Sequence, residues 1–439
     1  MTAYVLGKML GVEALVLCIP AAVSLIYGEA SDMAAFGITS AVLCVFFLLF
    51  GRKKPENGRI YGKDGLVIVA AAWILWSVFG ALPFYLSREI PSYVDALFET
   101  VSGFTTTGST ILTDIEALSY GMNFWRCLTH WIGGMGVLVF VMVVTSLDDK
   151  SSMHLMRAEV PGPEADKLVP KARETAKLLY AMYLALTVAE IIFLLAGGMN
   201  LYDSIIHSFS TAGTGGFANH NSSVAYYDSA YIDGVITVFM ILFGINFNMY
   251  FLLLIKDVKS VWKNEEVRAY LGIIVAATLV ITCNVLSIYK EPLKAFRYSI
   301  FQVASIITTT GFATADFNLW PELSKCILLL IMVIGACAGS TGGGVKVSRF
   351  LILWKSILKQ VKGMLHPKSV NVVKVNGKKI SNETLQGVYA YFSAYVFVFG
   401  ISVLLVALDN FDFATTISGV LTTLSNIPIK VNKNKRILF

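Results

Sequence analysis

The chain has 439 residues, of which 56% are hydrophobic and 15% charged, and its mean hydropathy is +0.68. So large an apolar share lies well beyond the roughly even balance of soluble domains and marks a membrane protein. The net charge of +6 does not call for a nucleic-acid partner, because a polytopic protein collects Lys and Arg in its cytoplasmic loops.

Taken in chain order, charge-poor stretches at 4–27 and 33–50 read as a helical hairpin. Glu13 inside the first stretch and the lack of a small-residue cleavage site imply that this helix stays in the protein. Arg52, Lys53, Lys54, Arg59 and Lys63 follow and place that loop, and with it the N-terminus, on the cytoplasmic side. From there one pattern recurs: a full span, a short helix, a Thr/Ser/Gly phrase, and a return span ending in basic residues. The first copy has a span at 65–86, a short helix at 93–104, the phrase TTTGS at 105–109 and a return at 124–147. Lys150, Arg157, Lys167, Lys171 and Arg173 follow it. The second has a span at 178–198, a short helix at 201–209, STAGT at 210–214 and a return at 231–255, whose stretch 235–255 is free of charge; Lys256, Lys259, Lys263 and Arg268 follow. The third has a span at 269–289, a short helix at 293–307, TTTGF at 308–312 and a return from 322. Its loop carries Lys346, Arg349, Lys355, Lys359, Lys362, Lys368, Lys374, Lys378 and Lys379. The fourth begins with a span at 388–408, a short helix from Phe411 and LTTLSNI at 421–427.

The expected fold is therefore all-α and polytopic, with nine spans and re-entrant pore loops. Its divisions are an N-terminal hairpin and basic loop (1–64), three repeats (65–172, 173–267, 268–383), a partial fourth (384–427) and a basic tail (428–439). Setting Gly108, Gly213 and Gly311 in register gives spacings of roughly 100 residues, the mark of an internally duplicated membrane fold. The six cysteines, Cys18, Cys44, Cys127, Cys283, Cys326 and Cys337, have no metal or redox spacing and read as buried small hydrophobes.

Each short helix has about half the length needed to cross a bilayer, so it enters and leaves by one face. Irregular backbone at membrane depth is tolerated only inside protein or beside water, and several such loops on one axis make a pore. A dehydrated alkali cation needs a ring of oxygens, which backbone carbonyls supply; glycine lets the backbone turn, and threonine adds a hydroxyl. The expected filter residues are Thr106, Thr107 and Gly108; Thr211, Ala212 and Gly213; Thr309, Thr310 and Gly311. Thr and Gly also serve plain helix packing, but three phrases in register on one face favour the pore.

Longer motifs carry a resemblance. FETVSGFTTTGSTILTDIEAL at 98–118, FWRCLTHWIGGMGVLV at 124–139, HSFSTAGTGGF at 207–217, TTTGFATADF at 308–317 and GACAGSTGGGVKVSRF at 335–350 resemble the Trk/Ktr/HKT superfamily of potassium transporters, most closely its bacterial TrkH type. The similarity runs from the start to about Ile427. It implies four non-identical repeats around one pore in the bacterial inner membrane, a homodimer, and a cytosolic nucleotide-binding regulatory subunit of TrkA or KtrA type. K+ is then the transported ion and no other cofactor is implied. In the family, glycine at the first filter position goes with potassium, so Gly108 argues for that ion. The stretch Gly339, Ser340, Thr341, Gly342, Gly343 and Gly344 matches an intramembrane loop that acts as a gate. A phosphate-cradling loop is the competing reading, but Val345 separates Gly344 from Lys346 and breaks that pattern. Lys346 and Arg349 read as interfacial anchors or partner contacts.

In the fourth repeat Asn426 and Ile427 take the filter position, and Pro428 stands where the family has glycine; its ring fixes φ near −65°. The following tail carries Lys430, Lys433, Lys435 and Arg436 with no further span. It reads as a truncated or frameshifted copy broken after Ile427, or as a short variant completed by another chain. Glu13 and Glu190 inside spans are either functional carboxylates or hydrogen-bonded interface groups. Asp95 and Glu99 could deepen the negative field at the mouth or bond to the filter backbone. No nucleophile, base or metal set suggests an enzyme. A passive or gated potassium pathway is the leading expectation, with a sodium- or proton-coupled symporter or a non-functional copy as alternatives.

Overall fold

A computed structural model of the chain describes residues 1–53, 62–136, 172–366 and 371–428, with strand residues 430, 431, 437 and 438. The expected return span beyond residue 136 lies outside the described residues, as do Lys54, Arg59, Lys150, Arg157, Lys167, Lys171, Lys368, Lys433, Lys435 and Arg436.

The architecture is all-α, with two very short antiparallel ribbons, 374–375 with 378–379 and 430–431 with 437–438. Helices α1 (Thr2–Val16) and α2 (Cys18–Tyr27) form one crossing and α3 (Ala30–Phe46) the next. Helices α4 (Gly62–Gly80) and α5 (Leu82–Leu86) make the third. Then come α6 (Tyr93–Phe104), α7 (Tyr120–Gly134), α8 (Ala172–Ala196), α9 (Leu201–Ala212), α10 (Ala230–Phe243), α11 (Phe247–Leu254) and α12 (Val258–Lys263). The rest are α13 (Glu265–Tyr289), α14 (Pro292–Ile307), α15 (Glu322–Ile334), α16 (Val347–Leu365), α17 (Asn382–Ala407) and α18 (Phe413–Ser425). Among the described residues six helices are long and apolar enough to cross a bilayer, or seven if α10 and α11 count as one broken span.

The expected straight return at 235–255 is not continuous: α10 and α11 meet at 92°. The break has a tertiary cause. The Asn246 side chain caps α11 by accepting from the Asn248 amide at 2.9 Å, and the Phe247 amide donates to the Gly339 carbonyl at 3.0 Å. The expectation for the cysteines is also corrected: only Cys127 and Cys337 are buried, and the other four lie on the outer faces of their helices, where lipid would meet a small apolar thiol at little cost.

The chain forms two compact units, one holding the described residues up to Tyr227 and the other those from Asp228 onward. In the first, α7 is buried along nearly its whole length. Its N-terminal amides are held by carboxylates from earlier segments: Glu29 accepts from Tyr120 N at 2.8 Å and Gly121 N at 2.9 Å. Glu89 accepts from Ser119 N at 3.2 Å. Acidic groups there satisfy orphan amides and complement the helix dipole. The Trp125 indole donates to Gly80 O at 2.9 Å and ties α7 to the end of α4. In the second unit the apolar faces of α13, α14 and α15 form a core that includes Tyr270, Ile281, Val303, Ile307, Leu328 and Ile331.

The short helices are set by their caps. Ser92 accepts from Asp95 N, Asn200 from Asp203 N and Asp412 from Thr415 N, starting α6, α9 and α18; Pro292 starts α14. At 12 residues for α6 and α9, each rises about 18 Å, too little for a core about 30 Å thick.

Candidate functional site

The end of each short helix is built in one way. The residue after the helix's last turn is left-handed at Thr106 (φ 56°), Thr214 (54°), Thr309 (61°) and Asn426 (61°). Two residues later the backbone is again at positive φ at Gly108 (72°), Gly216 (74°) and Gly311 (81°), and Pro428 holds that place in the fourth copy. A β-branched residue at positive φ is a steric outlier, so three threonines there mark an imposed conformation.

The hydrogen bonds repeat as faithfully. Thr106, Thr214, Thr309 and Asn426 donate their amides to the carbonyls of Gly103, Thr211, Ile306 and Thr423 at 3.0–3.2 Å. The next amides, of Thr107, Gly215, Thr310 and Ile427, donate to Ser102, Ser210, Ser305 and Thr422 at 2.9–3.0 Å. Paired threonine hydroxyls brace the first and third copies, Thr105 with Thr107 and Thr308 with Thr310, each at 2.8 Å.

This geometry corrects the register of the second copy. Thr211 and Ala212 lie in the last turn of α9 and Gly213 is its cap at φ −72°, so the strand equivalent to Thr106-Thr107-Gly108 is Thr214-Gly215-Gly216. The signal was in the sequence: a serine stands four residues before the left-handed threonine at Ser102, Ser210 and Ser305.

In the first unit α7 presses on the end of α6 and on the second of these strands. A methyl group at Gly133 would lie 1.9 Å from the Phe104 carbonyl oxygen, and one at Gly215 would lie 2.4 Å from the His130 ring. His130 stacks on Phe217 at 3.9 Å. Next to them, buried Glu99 pairs with buried Arg126 at 2.5 Å. Asp95, by contrast, sits exposed in the first turn of α6.

In the second unit the expected glycine break is present: α15 ends at Ile334 and α16 resumes at Val347. The loop between them is held from four sides. Gly343 N donates to Thr309 Oγ1 at 2.6 Å and Gly344 N to Ser425 O at 3.2 Å, which joins the loop to the third strand and to the end of α18. Cys337 N reaches Gly244 O at 3.0 Å, and Gly339 O takes the Phe247 amide. The buried Glu266 carboxylate accepts from Ala338 N at 2.7 Å and from Ser348 N at 3.1 Å, gripping both ends of the loop. Ser340 donates to Cys337 O at 2.7 Å and Thr341 to Phe243 O at 3.3 Å, while Gly342 accepts from the Lys346 ammonium. Lys346 is thus no interfacial anchor: it is 4% exposed, because its ammonium turns inward to that carbonyl. Arg349 donates to Val345 O at 2.8 Å and lies over the Tyr391 ring at 4.2 Å. Glu13 and Glu190 are fully buried within α1 and α8.

Comparison with known proteins follows the same lines. A family described as TrkH, cation transport protein, matches residues 34–428. The Trk system potassium uptake protein TrkH of Escherichia coli K12 is 36% identical over 417 residues, covering 93% of this chain and 86% of that protein. The TrkH of Vibrio parahaemolyticus is 35% identical over 434 residues, covering 96% and 89%. The crystal structure of the potassium transporter TrkH from Vibrio parahaemolyticus superposes with a TM-score of 0.88 at 32% identity, covering all of this chain and 92% of that one. With fold and sequence in agreement over nearly its whole length, this multi-pass chain is a member of the TrkH family of cation transport proteins and not an enzyme.

Proposed function

We propose that the chain carries potassium into the cell through a pore whose filter is made by the strands Thr106–Gly108, Thr214–Gly216, Thr309–Gly311 and Asn426–Ile427. The observation that carries this reading is the left-handed threonine recurring at one place in three copies. Because the helix behind takes up the amides of each strand, what the strand can turn toward a cation is its carbonyl oxygens, the groups that replace an alkali ion's hydration shell. The relatives' names give the ion as potassium. Inward movement is driven by the membrane potential, which is worth about 2.3 kcal/mol per charge per 100 mV.

The loop Gly339–Gly344 serves as the gate, held against the third strand through Thr309. The relatives' designation as parts of a Trk system supports regulation by a cytosolic nucleotide-binding subunit of TrkA or KtrA type acting on a homodimer. The N-terminus lies in the cytoplasm of a bacterial inner membrane, since two crossings bracket Tyr27–Ala30 and the second ends at Arg52 and Lys53.

The test is ion flux into proteoliposomes holding the purified full-length chain. Potassium entry that exceeds sodium entry, follows an imposed potential and needs no co-ion is the expected result; Gly108→Ser should erode the preference for potassium. Flux that requires a sodium or proton gradient would make the chain a coupled carrier, and equal entry of both ions in chain and variant would end the filter assignment.

A further inference from the structure

We propose that Glu99 and Arg126 are positioning residues that fix the outer ends of the first two filter strands and so set the discrimination of potassium from sodium; this rests on the filter reading above. Their side chains are 0% and 1% exposed. A buried ion pair is no economical source of stability, because desolvation offsets most of its attraction and an apolar pair of the same volume does as well. What distinguishes this pair is where its remaining hydrogen bonds go.

Glu99 accepts from Thr110 Oγ1 at 2.9 Å and from Ile111 N at 3.1 Å, on the segment leaving Gly108. Arg126 donates through Nη1 to Ala218 O at 3.1 Å and lies 3.5 Å over the Phe217 ring, on the segment leaving Gly216. One ion pair thus fastens the outgoing ends of both strands to α6 and α7. Phe217 stacks in turn on His130, whose ring occupies the space beside Gly215. The two charges cancel, so the guanidinium adds no barrier to a passing cation, whereas loss of Glu99 would leave it bare.

Among the described residues no other copy has a buried carboxylate–guanidinium pair at this place, although Asp203 of α9 accepts from Asn219 on the segment leaving Gly216 at 2.5 Å. Counting three residues back from the serine that receives the strand amide, Glu99 corresponds to His207 and Gln302. The ion pair therefore restrains the first two strands and not the third or fourth. A filter that selects by how far its carbonyls can close on an ion is sensitive to such a restraint.

The experiment measures potassium and sodium flux in proteoliposomes of the full chain carrying Glu99→Gln, Arg126→Gln, Arg126→Lys or Thr110→Val, each first checked for a single folded species in detergent. Glu99→Gln and Arg126→Gln should lower the potassium-to-sodium ratio by about tenfold. Arg126→Lys keeps the charge without the two-ended reach and should lower it by about threefold, as should Thr110→Val, which removes one tie. If the glutamine variants do not fold, the lysine and valine variants decide the matter. Folded variants that keep the wild-type ratio, whatever their yield or melting temperature, would overturn the proposal. A wild-type chain that passes no potassium overturns the filter reading as well, and a selective wild type with unaltered variants overturns this inference alone.

Discussion

At the scale of single residues, the second strand shows how a neighbour dictates sequence. Where the first and third copies have Thr107 and Thr310, the second has Gly215, because the His130 ring stands where a side chain would go. Gly215→Ala should therefore destabilise the folded chain by about 1–3 kcal/mol through overpacking. The double variant Gly215→Ala, His130→Ala should cost less than the two single changes added together, a coupling read from thermal or denaturant unfolding. The same position explains why only part of the site was legible. The shared backbone of Thr106–Gly108 and Thr309–Gly311 was readable from their letters, but Thr-Ala-Gly at 211–213 matched the phrase more closely than Thr214-Gly215-Gly216 did. Letters could not reveal that His130 would exclude a threonine, although the serine four residues earlier did mark the register. Gly311 is held for two reasons: its φ is 81°, and a methyl group there would come within 2.2 Å of the Pro428 ring.

At the scale of elements, capping explains most of what was legible and tertiary contact most of what was not. The limits of α6 and α14 were readable within a residue because Ser92 and Pro292 announce their starts. The bend between α10 and α11 was not readable, since it depends on Phe247 donating to a loop more than 90 residues on. The start of α7 supplies a test by pH. Glu89, in the connection before α6, has its pKa raised to about 7, chiefly by burial, against which the hydrogen bond from Ser119 acts. A folded chain that holds this proton more tightly than an unfolded one has the associated stability in full below the ordinary value of 4.5 and loses it as pH rises through about 7. The melting temperature in detergent should fall between pH 5 and pH 8, and Glu89→Gln should flatten that slope; equal slopes would show that Glu89 does not titrate there.

For the whole molecule, the all-α polytopic class was legible because long apolar helices and short capped ones differ plainly in hydropathy and length. The differences between copies were hidden, because they consist of long-range hydrogen bonds such as those that Glu266 accepts from the two ends of the glycine loop. The left-handed threonines carry a last consequence. Each such residue costs of the order of 1–3 kcal/mol, so Thr106, Thr214 and Thr309 together hold the proposed filter strands well above the conformation their residues prefer. A cation that gathers the carbonyls offsets that cost, and a ligand that binds only the folded form raises stability as its concentration rises. Potassium should then be a structural component as well as a cargo: the purified chain should melt at a higher temperature in potassium chloride than in choline chloride of equal ionic strength, and sodium should give the smaller rise.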